Sequence, residues 1–240
     1  MILEVCVDSV ESAIEAEKGG AHRLELCASL ELGGLTPTVG LLLAVKNSVN
    51  IPVFCMVRPR SGDLVYTVHE VVVMEMDIEY LIAAGADGFV FGCLMADSTI
   101  DEEACRRLIS NCNNLPVTFH RAFDLVPDIE QSLKLLNTLG VRRILTTGGS
   151  NTVDRVALSK LKKINDTIGG SLTILPGGGV NPGNVGTWEE MGFNEVHASC
   201  SEHIEEQKYG VDFNCPLPRG KRKQTTTRKV RELLSGVNHV

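Results

Sequence analysis

Three short stretches of this 240-residue chain carry nearly the same order of side chains: Glu4-Val5-Cys6-Val7-Asp8-Ser9, Glu25-Leu26-Cys27-Ala28-Ser29 and Glu195-Val196-His197-Ala198-Ser199. In an extended strand side chains alternate between faces, so each stretch puts Glu and then Cys or His on one face, with Val, Leu or Ala on the other. Carboxylates, thiols and an imidazole on the enclosed face of a strand are costly to bury without partners, and a polar functional interior is the leading explanation. If the fold brings the first and last strands together, the three stretches converge. Neighbouring strands lie about 4.8 Å apart, so inward Cys6 and Cys27 thiols at matching heights would share a soft metal ion, for which Cu(I) fits best. His197 is the candidate third ligand, although an imidazole or carboxylate in the set points more towards zinc. Inert buried thiols are an equal alternative. The same separation also permits a disulfide, which a reducing compartment disfavours.

Further polar residues gather where two other strand-like runs end. One reads Val57-Arg58-Pro59-Arg60-Ser61-Gly62-Asp63 and the other Thr118-Phe119-His120-Arg121-Ala122-Phe123-Asp124. Alternation places Thr118 and His120 on one face and Arg58 on the face of Met56, and we assign His120 and Arg58 inward, with Arg58 beside Glu25. His120, Glu4 and Glu25 are then candidate acids or bases, and Arg58 and Arg60 candidate anion holders. Two Gly-rich turns follow later strands, Thr146-Thr147-Gly148-Gly149-Ser150-Asn151 and Pro176-Gly177-Gly178-Gly179-Val180-Asn181. Backbone N–H groups of Gly148, Gly149, Gly177, Gly178 and Gly179 at helix starts would suit phosphate or another oxyanion. Sharp turning of the chain explains the glycines equally well.

The elements that must position these groups are strand-like runs at 2–7, 23–28, 52–58, 87–92, 116–121, 142–147, 171–176 and 194–199. Helical patterns fall between them, at 10–18, 68–84, 101–112, 128–139 and 151–168. Thr36-Pro37 and Asn181-Pro182 each read as an N-cap followed by Pro at the first helical position. The helix at 68–84 carries Val72, Met76, Tyr80 and Ala83 at helical spacing and ends at Gly85. Eight strands alternating with helices predict a single-domain (β/α)8 TIM-type barrel over 1–240, with an open doubly wound sheet as the alternative. Closure is favoured because it gives strands 8, 1 and 2 the adjacency that their matching polar faces need. A polar excursion at about 201–224 precedes a last helix at 226–235 bearing Val230, Leu233 and Leu234.

Composition narrows the function classes. Hydrophobic residues make up 43% and charged residues 22%, with a net charge of −7. No apolar run approaches the roughly 18 residues of a membrane span. The acidic balance argues against nucleic acid or an anionic membrane as partner, leaving a metal ion or a small anionic ligand. Met1 leads directly into a strand-like run without a leader pattern, so no signal for export is expected. Arg219, Lys221, Arg222, Lys223, Arg228 and Lys229 form a basic stretch that suits a solvated loop better than nuclear import, which stays a secondary expectation. The eight cysteines include no CxxC pair and read as reduced thiols, with Cys105 and Cys112 as buried small apolar residues.

Taken in order, several motifs resemble the CutC family. They are the first two stretches above, with Arg23-Leu24 before Glu25, followed by Gly33-Gly34-Leu35-Thr36-Pro37, Met56-Val57-Arg58-Pro59-Arg60, Gly85-Ala86-Asp87-Gly88, Thr118 to Asp124 and Pro176-Gly177-Gly178-Gly179. The resemblance spans residues 2 to about 200 and departs from the family pattern at Ser61 and after 201. It implies a cytoplasmic TIM-type barrel that forms a homo-oligomer, a dimer or tetramer, and takes part in copper handling. It also implies Cu(I) binding by the cysteines matching Cys6 and Cys27. Beside this stands the reading of a barrel enzyme that acts on a small anionic or phosphorylated substrate through His120 or a Glu, with Arg58 and the Gly-rich loops holding the anion.

Overall fold

A computed structural model of the chain describes residues 1–169, 171–204 and 222–237. Eight parallel strands form one sheet: β1 (Ile2–Val7), β2 (Arg23–Leu26), β3 (Val53–Met56), β4 (Gly88–Phe91), β5 (Val117–Phe119), β6 (Arg143–Thr146), β7 (Thr173–Pro176) and β8 (Glu195–Ala198). Their order is β7-β6-β5-β4-β3-β2-β1-β8, and a parallel bridge from Gly177 to His197 joins the two ends, completing the (β/α)8 barrel. Strands 8, 1 and 2 are adjacent, as the repeated polar faces require.

Helices α1 (Val10–Gly19), α2 (Val39–Lys46), α3 (Val68–Ala83), α4 (Glu102–Asn111), α5 (Ile129–Thr138), α6 (Arg155–Thr167) and α7 (Val185–Glu190) connect the strands. Six of these begin at a Ser, Thr or Asp whose side chain accepts an N–H of the first turn: Ser9, Thr38, Thr67, Asp101, Asp128 and Asp154. Two expected caps are displaced by two or three residues. Thr38, not Thr36, caps α2, and Asn184, not Asn181, precedes α7. Thr36 instead accepts the Arg58 N–H at 2.9 Å, and Asn181 closes a turn by accepting the Gly183 N–H.

The helix at 68–84 forms where expected, and the face it buries is not the row at Val72, Met76 and Tyr80. Val71, Met74, Ile78 and Leu81 are buried, whereas Val72, Met76 and Tyr80 are 40%, 50% and 58% exposed. Both faces of α3 are apolar, so periodicity alone does not choose between them. After β8, residues 201–203 and 223–225 pair as an antiparallel ribbon, β9 (Ser201–His203) and β10 (Lys223–Thr225), which leads into α8 (Thr227–Ser235). The bulk of the expected polar excursion, with Arg219 and Lys221, lies outside the described residues. Within them Arg228 pairs with Glu202 and Glu232, so that part of the basic stretch is neutralised. Val230 of α8 packs on Gly19 of α1, where an added Cβ would come within 2.4 Å of it. Among the described residues no helix is long and apolar enough to cross a membrane.

Burial separates two apolar regions. Outward-facing strand residues such as Leu3, Val5, Leu24, Val53, Phe89 and Phe119 pack against the helices in the main core. A small inner cluster of Cys27, Phe54, Met56 and Val90 fills one side of the barrel lumen. Phe54 lies beneath the guanidinium groups of Arg23 and Arg143, at 5.0 and 5.2 Å from its ring centre. Gly88 leaves room for that ring, since a Cβ there would sit 2.7–2.8 Å from three ring atoms. Gly88→Ala is therefore expected to lower the urea midpoint by a loss of about 1–3 kcal/mol in stability. An unchanged midpoint would show that the ring is free to move.

Candidate functional site

The charged side of the lumen is built by β1, β2, β6 and β8. Glu4 is fully buried; one carboxylate oxygen accepts from Arg23 Nε and the other lies 2.9 Å from His197 Nδ1. Arg23 also donates to Glu195 at 2.6 Å, and Arg143 donates to the same Glu195 oxygen at 2.8 Å. The result is a continuous buried chain of charges, Arg143–Glu195–Arg23–Glu4–His197. Burial alone would raise the Glu4 carboxyl, but the hydrogen bond from His197 and the charge of Arg23 outweigh it and bring its pKa down to about 2.

The repeated stretches meet with an offset. Parallel pairing sets Glu4 opposite His197 on one side and Arg23 on the other, Ile2 opposite Glu195, and Cys6 opposite Glu25. Each stretch is displaced by two residues from its neighbour, the stagger that a closed barrel requires. Cys6 and Cys27 are consequently at different heights. The Cys6 thiol, one Glu25 carboxylate oxygen and a His197 ring nitrogen lie within 4.8 Å of one another, and Cys27 is outside this group. Cys27 is fully buried in the inner apolar cluster, with its sulfur 3.9 Å from Glu25 Oε2 and its thiol pKa pushed well up by burial and by the Glu25 charge. Cys6 is partly exposed, and both are free thiols. Cys105 and Cys112 are buried as expected.

Glu25 sits at the centre of this arrangement. His197 Nε2 is 3.6 Å from its Oε2, while its Oε1 is buried without a partner. Burial, opposed by His197 and reinforced by Glu4, raises its pKa to about 7. Burial disfavours the His197 cation, yet the facing Glu25 and the Cys6 thiol hold its pKa well above the ordinary value.

Several expected residues take other roles. Arg58 does reach the lumen mouth, but its guanidinium donates to the carbonyls of Leu32, Gly34 and Gly62 at 2.9, 3.2 and 3.0 Å instead of pairing with Glu25. Arg60 spends its donors on Glu70, Ser61 O, Asp63 O, Asp63 Oδ1 and Val65 O, which leaves none for a ligand. The N–H groups of Thr147 and Gly149 donate to Asp124 Oδ1 at 3.0 and 3.1 Å, and that of Gly148 to Thr146 Oγ1. The chain's own carboxylate thus occupies the expected anion seat. Gly177 donates to Thr146 O, and Gly178 and Gly179 turn the chain at positive φ against Arg121 and Thr152.

His120 is buried inward, with Gly92 leaving space for its ring, and its Nδ1 accepts the Ala122 N–H at 3.2 Å. The proton of the neutral ring is therefore on Nε2. Sequence reasoning missed Arg23 and Arg143, although alternation in Arg23-Leu24-Glu25 already places Arg23 on the face of Glu25. Above the Cys6, Glu25 and His197 floor, a cavity of about 600 Å³ opens at the C-terminal ends of the strands, with Arg58 and His120 among its lining residues.

Comparison with known proteins follows the same boundaries. The model described as "CutC family" matches residues 1–202. Relatives named copper homeostasis protein cutC homolog include one from Mus musculus, 49% identical over 82% of this chain and 73% of its own length. Another from Homo sapiens is 48% identical over 82% of this chain and 72% of its own length. The crystal structure of a CutC protein from Streptococcus agalactiae, described there as a candidate copper homeostasis protein, superposes with a TM-score of 0.78 at 31% identity, covering 83% of this chain and 98% of that one.

One prediction follows from His120. Burial first, then the charge of Arg58, lowers its pKa from 6.5 to about 4. Between those values the unfolded chain binds the proton that the folded one refuses, so stability falls as pH drops through this window. The loss amounts to about 3 kcal/mol once pH is below the folded value. Glu4 acts lower, between 4.5 and about 2. Thermal melts against pH should therefore show a shallower decline between pH 6.5 and about 4 for His120→Asn than for wild type. Parallel curves in that window would remove the assignment of a buried neutral ring.

Proposed function

The chain belongs to the CutC family, and on that premise we propose that it serves copper homeostasis by binding Cu(I) at the mouth of its barrel through Cys6, with His197 and Glu25 beside it and Cys27 as the second thiol. The observation that carries this reading is the meeting of Cys6, Glu25 and His197 donor atoms within 4.8 Å. A thiolate and an imidazole suit Cu(I). Glu4 accepts from His197 Nδ1 and so leaves Nε2 as the ligating nitrogen, and Arg23 holds Glu4 in turn. A carboxylate behind a ligating histidine fixes its tautomer and ring orientation. The partial exposure of Cys6 supports it as the first thiol reached by the ion, whereas Cys27 is fully buried in the inner apolar cluster.

Anaerobic competition for Cu(I) against a chromogenic chelator tests this. Cys6→Ser should weaken binding by on the order of 100-fold, and His197→Gln by about tenfold or more. A Cys27→Ser variant with wild-type affinity would remove the cysteine pair while leaving the Cys6 and His197 site. Wild-type affinity in Cys6→Ser would overturn the site altogether.

A second reading, a barrel enzyme acting on a small anionic or phosphorylated substrate, is favoured by the size of the cavity and by the unpartnered Glu25 Oε1 within its floor. Glu25 and His120 are its acid–base candidates, since both Glu4 oxygens are engaged. Phosphorus NMR of a sugar-phosphate panel incubated with copper-free protein checks it. Conversion that Glu25→Gln abolishes supports the enzyme; no conversion of any member removes it.

A further inference from the structure

The cavity has a composition that a metal ion does not explain. Its rim is formed by loops after four successive strands, β2 to β5, which contribute Leu32, Val65, Met95 and Leu125. These side chains are 49%, 39%, 48% and 58% exposed, although each belongs to a type that gains by leaving water. The apolar surface continues inward through Met56, a member of the inner cluster, so one wall is apolar from rim to floor. The floor carries Cys6, Glu25 and His197. A coordinated ion would take a small fraction of about 600 Å³ and would leave the apolar wall in water. This volume and this mixture, a largely apolar lining with a few converging polar groups, are those of small-molecule sites.

The floor further specifies the head group. Glu25 and Arg58 both line the cavity, and each has a buried polar atom without a protein partner, Glu25 Oε1 and Arg58 Nε. Buried polar atoms are ordinarily paired, and leaving such a hydrogen bond unmade is costly. One orphan accepts and the other donates, which matches a group that both donates and accepts, such as a hydroxyl, vicinal diol or hydroxy-ketone. Both arginines that line the cavity are already held by the protein, Arg58 through loop carbonyls and Arg121 through Asp124, so a phosphate would have to compete with these partners.

We propose that the barrel mouth is a binding site for a small uncharged amphipathic organic molecule, seated with its hydroxyl-bearing head at Glu25 and Arg58 and its apolar body against Leu32, Val65, Met95 and Leu125. The site goes beyond the copper reading: the rim and Arg58 lie outside the metal donor group, and Glu25 is shared with it, so the test uses copper-free protein.

The chain supplies its own reporters for a test. Met56 and Met95 line the cavity, whereas Met74, Met76 and Met191 do not. Copper-free protein labelled with ¹³C at its methionine methyls is titrated with 1-phenylethane-1,2-diol, and in parallel with phenyl phosphate. We expect saturable shifts of Met56 and Met95 alone, half-complete at about 1 mM diol. Leu125→Asp, at an exposed position that should not disturb folding, is expected to weaken the diol by about tenfold, while Val156→Asp on α6, 79% exposed and not among the residues that line the cavity, leaves it unchanged. Four results would overturn the proposal: no saturable shift of Met56 and Met95 in wild type, equal shifts at Met76, tighter binding of phenyl phosphate than of the diol, or wild-type diol affinity in Leu125→Asp. Sedimentation of Leu125→Asp closes the remaining gap. If the variant loses an oligomer and keeps its diol affinity, the rim belongs to a second copy of the chain and the proposal falls.

Discussion

A carboxylate with no access to water has to find its counter-charges inside the protein, and Glu4 finds them in Arg23 and His197. That requirement reaches most of the lumen. Arg23, buried in its turn, needs a second acid and takes Glu195, which brings in Arg143 from across the barrel. Such networks are poor sources of net stability, because desolvation offsets the attraction, yet removing one member leaves an unpaired buried charge at a cost of about 3–5 kcal/mol. The network's contribution is therefore positional. It orients the His197 ring, holds strands from both ends of the chain in one register and leaves Glu25 as the acid with a free oxygen.

The lumen is divided as a consequence. Charges occupy the side made by β6, β8, β1 and β2, while Phe54, Met56, Val90 and Cys27 occupy the side made by β2 to β4. Phe54 mediates between the two, its ring apolar towards Met56 and Val90 and electron-rich beneath the two guanidinium groups. The same division continues upward into the mouth, where an apolar rim stands over the thiol, carboxylate and imidazole of the floor. The two candidate chemistries of this protein, soft-metal ligation and recognition of an organic molecule, arise from the two sides of one lumen.

Much of this was legible from the residues. Alternating strand and helix patterns gave the eight-stranded barrel, and the inverted polarity of Glu4, Glu25 and Glu195 located the polar lumen and the adjacency of the first, second and last strands. Arg23 could also have been read, since it lies two positions before Glu25. Other features had no local signal. The two-residue stagger that parts Cys27 from Cys6 is a property of closure around the whole barrel, so equal positions in similar stretches did not mean equal heights. The inner face of α3 was undetermined because Val71 and Val72 are both apolar. The glycines at 148 and 149 announced a turn with free N–H groups, but not that Asp124, some 25 residues earlier, would fill it.

The closure of β8 onto β1 also imposes an order in time. Cys6 and Glu25 leave the ribosome early, whereas His197 follows Glu25 by 172 residues. At roughly 5–20 residues per second, that interval is on the order of 10–30 s. Throughout it Glu4 lacks His197 and Arg23 lacks Glu195, so the first two strands carry charges that only the last strand can finish balancing. A nascent chain can present the Cys6 and Cys27 thiols long before it can present the Cys6, Glu25 and His197 cluster. The proposed ion capture by the complete cluster is thereby reserved for a chain whose barrel has shut.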